Sequence, residues 1–275
     1  MKRQSPSETI RGRVAFDTIA GRYDQLYAAD TNPLLAIMRE RVYQAIGRHC
    51  RPGAALLEVG CGTGEDTLAL TARGYRLVAT DPAPRMMAEA ETKLAAAGES
   101  GAVRFIAAGV EELADRWLSL GVEIDDVFSN FAPLNCALSL DPVRALLLQA
   151  LRPGGRFIAV VLPRLCPMEV LLFSLRGDLK TALRRLRRSP VGDVEGRTFP
   201  MRYYGAGDFD RALGGSFRRI ETRSLGIVLP PLSFGPAFAR VPGLIEALTL
   251  LEDRASPLPG LRRMGDHVLL VYERV

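Results

Sequence analysis

The chain has 275 residues, 48% hydrophobic and 24% charged, with a net charge of +5; this is the composition of a globular domain, and its mild basicity suits an anionic ligand without arguing for nucleic acid. The four cysteines Cys50, Cys61, Cys136 and Cys166 form no C-x-x-C pair and have no histidine at metal spacing, which argues against a zinc site or a disulfide framework, and no metal is expected. Met1–Pro6 leads into no apolar core and no apolar run is long enough to span a bilayer, so neither a signal peptide nor a membrane span is expected, and the expected compartment is the cytoplasm.

Residues 1–10 read as loosely docked. Arg13–Tyr27 reads as a helix with Phe16, Ile19, Ala20 and Tyr23 on one side. Pro33–Gly47 reads as a second helix, with Leu34, Leu35, Ile37, Met38, Val42 and Ile46 turned inward. Arg51-Pro52-Gly53 then leads into the stretch that organises the chain. Ala55-Leu56-Leu57-Glu58-Val59 is an apolar run. Gly60, Gly62 and Gly64 follow at alternate positions, and Thr67-Leu68-Ala69-Leu70 opens a helix. The pattern is strand, tight turn, helix, and the helix start presents unpaired N–H groups.

The glycine spacing is informative. A dinucleotide fingerprint reads G-x-G-x-x-G, but here the third glycine comes one residue early and Glu65 stands in its place, where an acid would face a pyrophosphate. Glu58 is placed to pair with a cation instead. The next strand, Tyr75–Thr80, ends at Asp81, about 20 positions after Gly60, the spacing of an acid that binds ribose hydroxyls. The ligand so described has a ribose and a cationic amine but no pyrophosphate, and S-adenosylmethionine meets that description.

Strand and helix then alternate, the mark of a doubly wound parallel sheet. Met86–Ala97 is a helix, Val103–Ala107 the third strand, Ile124–Ser129 the fourth and Phe157–Leu162 the fifth. The loop Ser129–Cys136 leaves the carboxyl end of the fourth strand, where ligands sit in such sheets. Its Ser129, Asn130 and Asn135 are neutral hydrogen-bonders able to orient a hydroxyl or amine. Two insertions follow. In the first, about 163–207, Met168–Leu186 reads as one helix whose basic end, Lys180–Arg188, is a solvated face or a contact for an anionic substrate or membrane surface. Val191–Tyr204 reads as a hairpin. Asp208–Leu213 reads as a short helix and Phe217–Arg223 as a strand. The second insertion, about 231–265, carries a helix within Phe234–Arg254 and precedes the last strand, His267–Tyr272.

Glu58-x-Gly60-x-Gly62-x-Gly64 with Asp81, Phe16-Asp17-x-x-Ala20-x-x-Tyr23-Asp24 and Leu151-x-Pro153-Gly154-Gly155 occur in that order. Together they resemble the class I S-adenosylmethionine-dependent methyltransferases, in their small-molecule, methyltransferase type 11 (UbiE-like) branch. The resemblance implies an α/β fold with a doubly wound, seven-stranded Rossmann-like sheet. Residues 1–50 would form a helical segment closing over the cofactor, and residues 51–275 the core, capped by the two insertions. It implies S-adenosylmethionine as cofactor, leaving S-adenosylhomocysteine. It also implies cofactor contacts from Tyr23, Glu58, Gly60, Cys61, Gly62, Thr63, Gly64, Asp66, Asp81, Pro82, Met86, Gly109, Val110, Ser129, Asn130 and Phe131. Many relatives carry an acid after the third strand to bond the adenine amine; Gly109 and Val110 stand there in this chain, so a backbone contact must replace it.

The expected partner is a small hydrophobic or aromatic acceptor, methylated on O, N or C, because the insertions are rich in Phe173, Phe199, Tyr203, Tyr204, Phe234 and Phe238. The loop after the fourth strand lacks the proline pair that holds a flipped base, which disfavours a nucleic-acid methyltransferase. A protein methyltransferase, or a non-catalytic S-adenosylmethionine-binding protein on the same fold, are the alternatives. Two residues are candidates for the chemistry. Asn135 lies deep in its loop. His267 starts the last strand at the cofactor end and has the basicity to take an acceptor proton. Asp266 beside it is expected on the opposite face. His49, at the other end of the sheet, is expected to be structural.

Overall fold

Ala55–Val59 (β1) lies at the middle of a sheet in the structure, a computed structural model that describes residues 6–27, 32–187 and 190–275. The other strands are β2 (Arg76–Asp81), β3 (Val103–Ala107), β4 (Asp126–Ser129), β5 (Arg156–Val161), β6 (Val191–Val194), β7 (Arg197–Pro200), β8 (Phe217–Leu225) and β9 (His267–Arg274). Among the described residues, seven of them form one sheet in the order β3-β2-β1-β4-β5-β9-β8, and β6 and β7 pair as a separate hairpin. β1 to β5 pair in parallel, while β9 runs antiparallel to both β5 and β8. This is the expected α/β, doubly wound seven-stranded sheet.

The central strands are apolar at consecutive positions because helices cover both faces. Along β5, Phe157, Ala159 and Val161 pack into one core and Ile158 and Val160 into the other. β9 repeats this, with Val268, Leu270 and Tyr272 on one face and Leu269 and Val271 on the other. A one-residue slip would exchange these sets, so burial on both faces fixes the register.

The helices are α1 (Pro6–Leu26), α2 (Pro33–His49), α3 (Glu65–Thr71), α4 (Pro84–Ala96), α5 (Val110–Arg116), α6 (Pro133–Cys136) and α7 (Asp141–Ala150) in the first part of the chain. α8 (Pro167–Leu175), α9 (Leu179–Ala182), α10 (Ala206–Leu213), α11 (Gly235–Phe238) and α12 (Pro242–Ala255) follow. α2 supplies Leu34, Met38, Val42 and Ile46 to one core, and α5, α7 and α10 supply the other. α1 begins at Pro6, so residues 6–10 are helical where a loosely docked segment is expected; residues 1–5 lie outside the described residues. Polar contacts pin α1 across the carboxyl ends of the parallel strands. The N–H of Arg85 donates to Asp17 over 2.9 Å, the Thr63 hydroxyl donates to Asp24 over 2.6 Å, and Lys93 pairs with Asp24 at 2.7 Å.

The first insertion departs from the single helix expected over Met168–Leu186. The helix stops at Leu175, and Asp178 restarts it by accepting from the N–H of Thr181. A short 3₁₀ turn, Arg184–Leu186, ends the run. Nor is the basic end simply solvated. Arg185 is buried, bonded to Glu169 at 2.8 Å and Asp266 at 2.7 Å, and its Nη1 also donates to the carbonyl of Asp266. Two carboxylates and a guanidinium thus enter the interior together, because each alone would be too costly to bury. Arg188 lies outside the described residues. In the second insertion, buried Glu252 of α12 accepts from the N–H groups of Gly226, Ile227, Val228 and Leu229, which moors the helix to the end of β8.

Candidate active site

At the carboxyl ends of the parallel strands lies a cavity of about 190 Å³. Its floor is the glycine turn. The N–H groups of Gly60 and Cys61 both donate to the carbonyl of Thr80, at 2.8 and 2.9 Å, which ties the turn to β2. Gly60 adopts φ +83, and a Cβ there would meet Pro133 at 2.2 Å. Gly62 also has positive φ, but its Cβ direction opens onto empty space. The first glycine therefore seats the loop after β4, and the second leaves backbone bare beside the cavity.

Asp81 ends β2 at the cavity edge. Its carboxylate accepts from the N–H of Gly62 at 3.0 Å and of Ala83 at 2.9 Å. Burial pushes its pKa up to about 6 despite those two hydrogen bonds. A carboxylate oxygen has a second lone pair, so both can still accept from a ligand hydroxyl.

The other acid of the floor is Asp66, in the first turn of α3. It is buried, and it accepts from the Tyr43 hydroxyl at 2.6 Å and the Asn130 amide at 3.0 Å. Arg39 Nε lies 3.3 Å away and its guanidinium stands 5.5 Å from the centre of the Phe131 ring. Asp66 thus gathers α2, α3 and the β4 loop around one carboxylate. Neither Arg39 nor Tyr43 is visible as a site residue in the sequence. Both sit at ordinary helical spacing in α2, and only the docking of that helix against α3 brings them here.

The far wall comes from other parts of the chain. Gly12, Arg13, Phe16 and Tyr23 of α1 line it, with Leu134 and Cys136 of α6 and Phe199 and Pro200 of β7. Phe16 packs on Phe199 with ring centroids 5.5 Å apart. Phe131 and Ala132, both non-glycine residues at positive φ, turn the β4 loop sharply over the glycine turn. Such strained backbone concentrates at ligand sites. Residues 231–265 supply none of the lining, although their Phe234 and Phe238 are among the aromatics from which the acceptor is expected.

Of the residues expected at the cofactor, Tyr23, Gly60, Cys61, Gly62, Thr63, Asp66, Asp81, Pro82, Met86, Gly109, Val110, Asn130 and Phe131 line this one cavity. Glu58, Gly64 and Ser129 do not. Glu58 is buried beneath the turn and accepts from the Thr67 hydroxyl at 2.5 Å; burial, then the nearby Asp66 charge, push its pKa up to about 8. Gly64 starts α3 and packs against Ala90, and Ser129 donates to the carbonyl of Val59.

Asn135 and His267 also lie outside the lining. The Asn135 carboxamide is fully buried. It donates to the carbonyls of Leu162 and Arg202 at 3.0 and 2.6 Å and accepts from the N–H of Leu162. His267 packs edge-on against Phe131, centroids 5.2 Å apart, so it stands beside a wall residue. Its Nδ1 lies 3.5 Å from Asp266, contrary to the opposite-face expectation. Strand alternation does not govern that pair, because Asp266 precedes the first residue of β9. His49 pairs with Glu221 at 2.6 Å, away from the cavity.

The cavity fits S-adenosylmethionine on its own features. Asp81 offers carboxylate oxygens for ribose hydroxyls, Gly62 offers bare backbone, Asp66 offers negative charge for an amine, and Met86 and Val110 offer apolar surface for a base. Residues 56–155 match a family model described as a methyltransferase domain. No protein of curated function matches the chain in sequence. Among solved structures, the chain is similar to the CcbJ methyltransferase from Streptomyces caelestis, at 17% identity and TM-score 0.61, over 95% of this chain and 98% of that one. It is similar to an S-adenosylmethionine-dependent methyltransferase from Clostridium acetobutylicum, at 14% and 0.58, over 94% and 98%. It is also similar to the 1,6-didemethyltoxoflavin-N1-methyltransferase from Burkholderia thailandensis, solved with 1,6-didemethyltoxoflavin and S-adenosylhomocysteine, at 19% and 0.53, over 100% and 92%. At these identities the likenesses speak for the fold, while the family match falls on the glycine turn and Asp81. Residues 56–155 of this chain thus match a methyltransferase domain, and the fold around them is the one shared by those solved S-adenosylmethionine-dependent methyltransferases.

Proposed function

We propose that the chain methylates a small apolar or aromatic acceptor. The observation that carries this reading is the far wall of the cavity, built from Phe16, Tyr23, Phe131, Leu134, Phe199 and Pro200. Bound S-adenosylmethionine supplies an electrophilic methyl group on a sulfonium. The protein's part is to hold the acceptor in line with it and to exclude water, and alignment alone is worth up to about 7–11 kcal/mol in favourable cases. In this reading Asp81 holds the ribose and Asp66, steadied by Tyr43 and Asn130, faces the amine. Glu58, Gly64, Ser129, Asn135 and His267 support the wall from behind. The Burkholderia thailandensis neighbour, solved with 1,6-didemethyltoxoflavin bound, agrees with a small-molecule acceptor.

Calorimetry with S-adenosylmethionine, S-adenosylhomocysteine and NADH tests the cofactor, and mass spectrometry of co-purified ligand tests the acceptor. Micromolar binding of the first two without NADH is expected. Phe199→Ala is expected to raise KM for the acceptor while leaving cofactor affinity unchanged. Binding of NADH alone would overturn the reading.

A further inference from the structure

The first insertion carries an amphipathic unit turned inside out. α8 reads Pro-Met-Glu-Val-Leu-Leu-Phe-Ser-Leu, and its one buried residue is the acid Glu169. In α9 and the 3₁₀ turn after it, the buried residues are Ala182 and Arg185. The leucines face solvent instead. Leu175 is 76% exposed, Leu186 62% and Leu179 60%, and Leu165, Leu171 and Leu183 are exposed too. Such an apolar surface on a folded chain marks a contact with something else.

Charge says what that partner is. Arg164, Arg176, Lys180, Arg184 and Arg187 lie exposed among these leucines. Between residues 164 and 187, all described, there are two acids. Glu169 is buried against Arg184 and Arg185, and Asp178 caps α9. The face thus presents leucines and five exposed cations against one half-exposed acid, Asp178. A second copy of the chain docked by two-fold symmetry would set cations against cations. An anionic bilayer surface accepts both features, leucines in the acyl boundary and cations at the headgroups.

We propose that α8, α9 and the Arg184–Leu186 turn dock on the surface of a membrane bearing anionic lipid. Docking has a route to the cavity. The guanidinium of Arg185 lies 5.7 Å from the centre of the Tyr203 ring, and Tyr203 belongs to the same apolar cluster as Phe16, Tyr23 and Phe199. An apolar acceptor dissolved in the bilayer would meet the protein on the insertion that also walls its pocket.

Flotation of the full chain with phosphatidylcholine vesicles, with and without phosphatidylserine, tests this. Binding to the phosphatidylserine vesicles, and its release by salt, is expected. Leu175→Ser/Leu179→Ser and Lys180→Glu/Arg187→Glu are each expected to weaken it by at least about tenfold. S-adenosylmethionine affinity, unchanged in both variants, confirms that they fold. No binding to anionic vesicles, or binding that neither variant alters, overturns the proposal. So does a dimer in light scattering that the leucine variant dissociates, since that assigns the face to a second copy.

Discussion

The Thr67 hydroxyl donates to the Glu58 carboxylate across 2.5 Å, beneath the glycine turn and out of reach of the cavity. Glu58 is held mainly as the neutral acid, because burial and the Asp66 charge push its pKa from 4.5 up to about 8. The folded chain therefore binds a proton between about pH 4.5 and pH 8 that the unfolded chain has released. Stability falls as pH rises through that window, by on the order of a few kcal/mol. Glu58→Gln keeps an acceptor for Thr67 and abolishes the titration. Its Tm is expected to match the parent near pH 4.5 and exceed it at pH 8.5, measured without cofactor.

Asp81 titrates nearer neutrality, at about 6. Above that pH the carboxylate is ionised and, in the proposed function, both oxygens accept from ribose hydroxyls; below it one oxygen carries a proton. Affinity for S-adenosylmethionine is expected to fall as pH drops through 6. Asp81→Asn is expected to weaken binding at pH 7.5 by at least about tenfold, about 1.4 kcal/mol, and to flatten this pH dependence. Calorimetry over pH 5–8 reads both effects.

Gly60 and Gly62 share a positive φ and differ in what surrounds them. Gly62→Ala is expected to cost about 1–2 kcal/mol of backbone strain. Gly60→Ala adds a collision with Pro133 and is expected to cost at least about twice that, read by urea unfolding.

Arg185→Met would leave Asp266 buried without its guanidinium and Glu169 with Arg184 alone. A loss of about 3–5 kcal/mol is expected near neutral pH. Burial raises the Asp266 pKa, but the hydrogen bond and charge of His267, then the charge of Arg185, hold it below its ordinary 3.8. Both carboxyls become neutral in acid, so the penalty is expected to shrink below about pH 4. Thermal melts at pH 4 and pH 7 read the difference.

His267→Gln separates a proton-accepting role from a supporting one. A general base contributes at least about 100-fold. With the ring set against Phe131 and outside the cavity, turnover is expected to stay within about tenfold of the parent, while stability falls.

The sequence carries the sheet and the cavity floor because local signals set both. Apolar runs give the strands, the glycines at 60, 62 and 64 the turn, and the end of β2 the acid at the cavity edge, Asp81. The far wall is less legible. Phe199 lies in a recognisable hairpin, yet nothing local says that this hairpin meets Phe16. Arg39 and Tyr43 look like the outer face of an ordinary helix until α3 docks against it. The break between α8 and α9 does have a local signal, Gly177-Asp178, which the apolar period of the surrounding leucines outweighs. Arg185 reads as a surface cation because its two acids, Glu169 and Asp266, lie in different elements.

The pinning of α1 has a consequence for how the protein is made. Arg22 pairs with Glu195, 173 positions further along the chain, and Phe16 rests on Phe199. During synthesis α1 leaves the ribosome long before the hairpin it leans on. The strands that hold the glycine turn can pair while α1 still lacks half of its seat. A nascent chain arrested before β7 would carry the glycine turn and Asp81 without Phe199 and Pro200, the part of the far wall that β7 supplies.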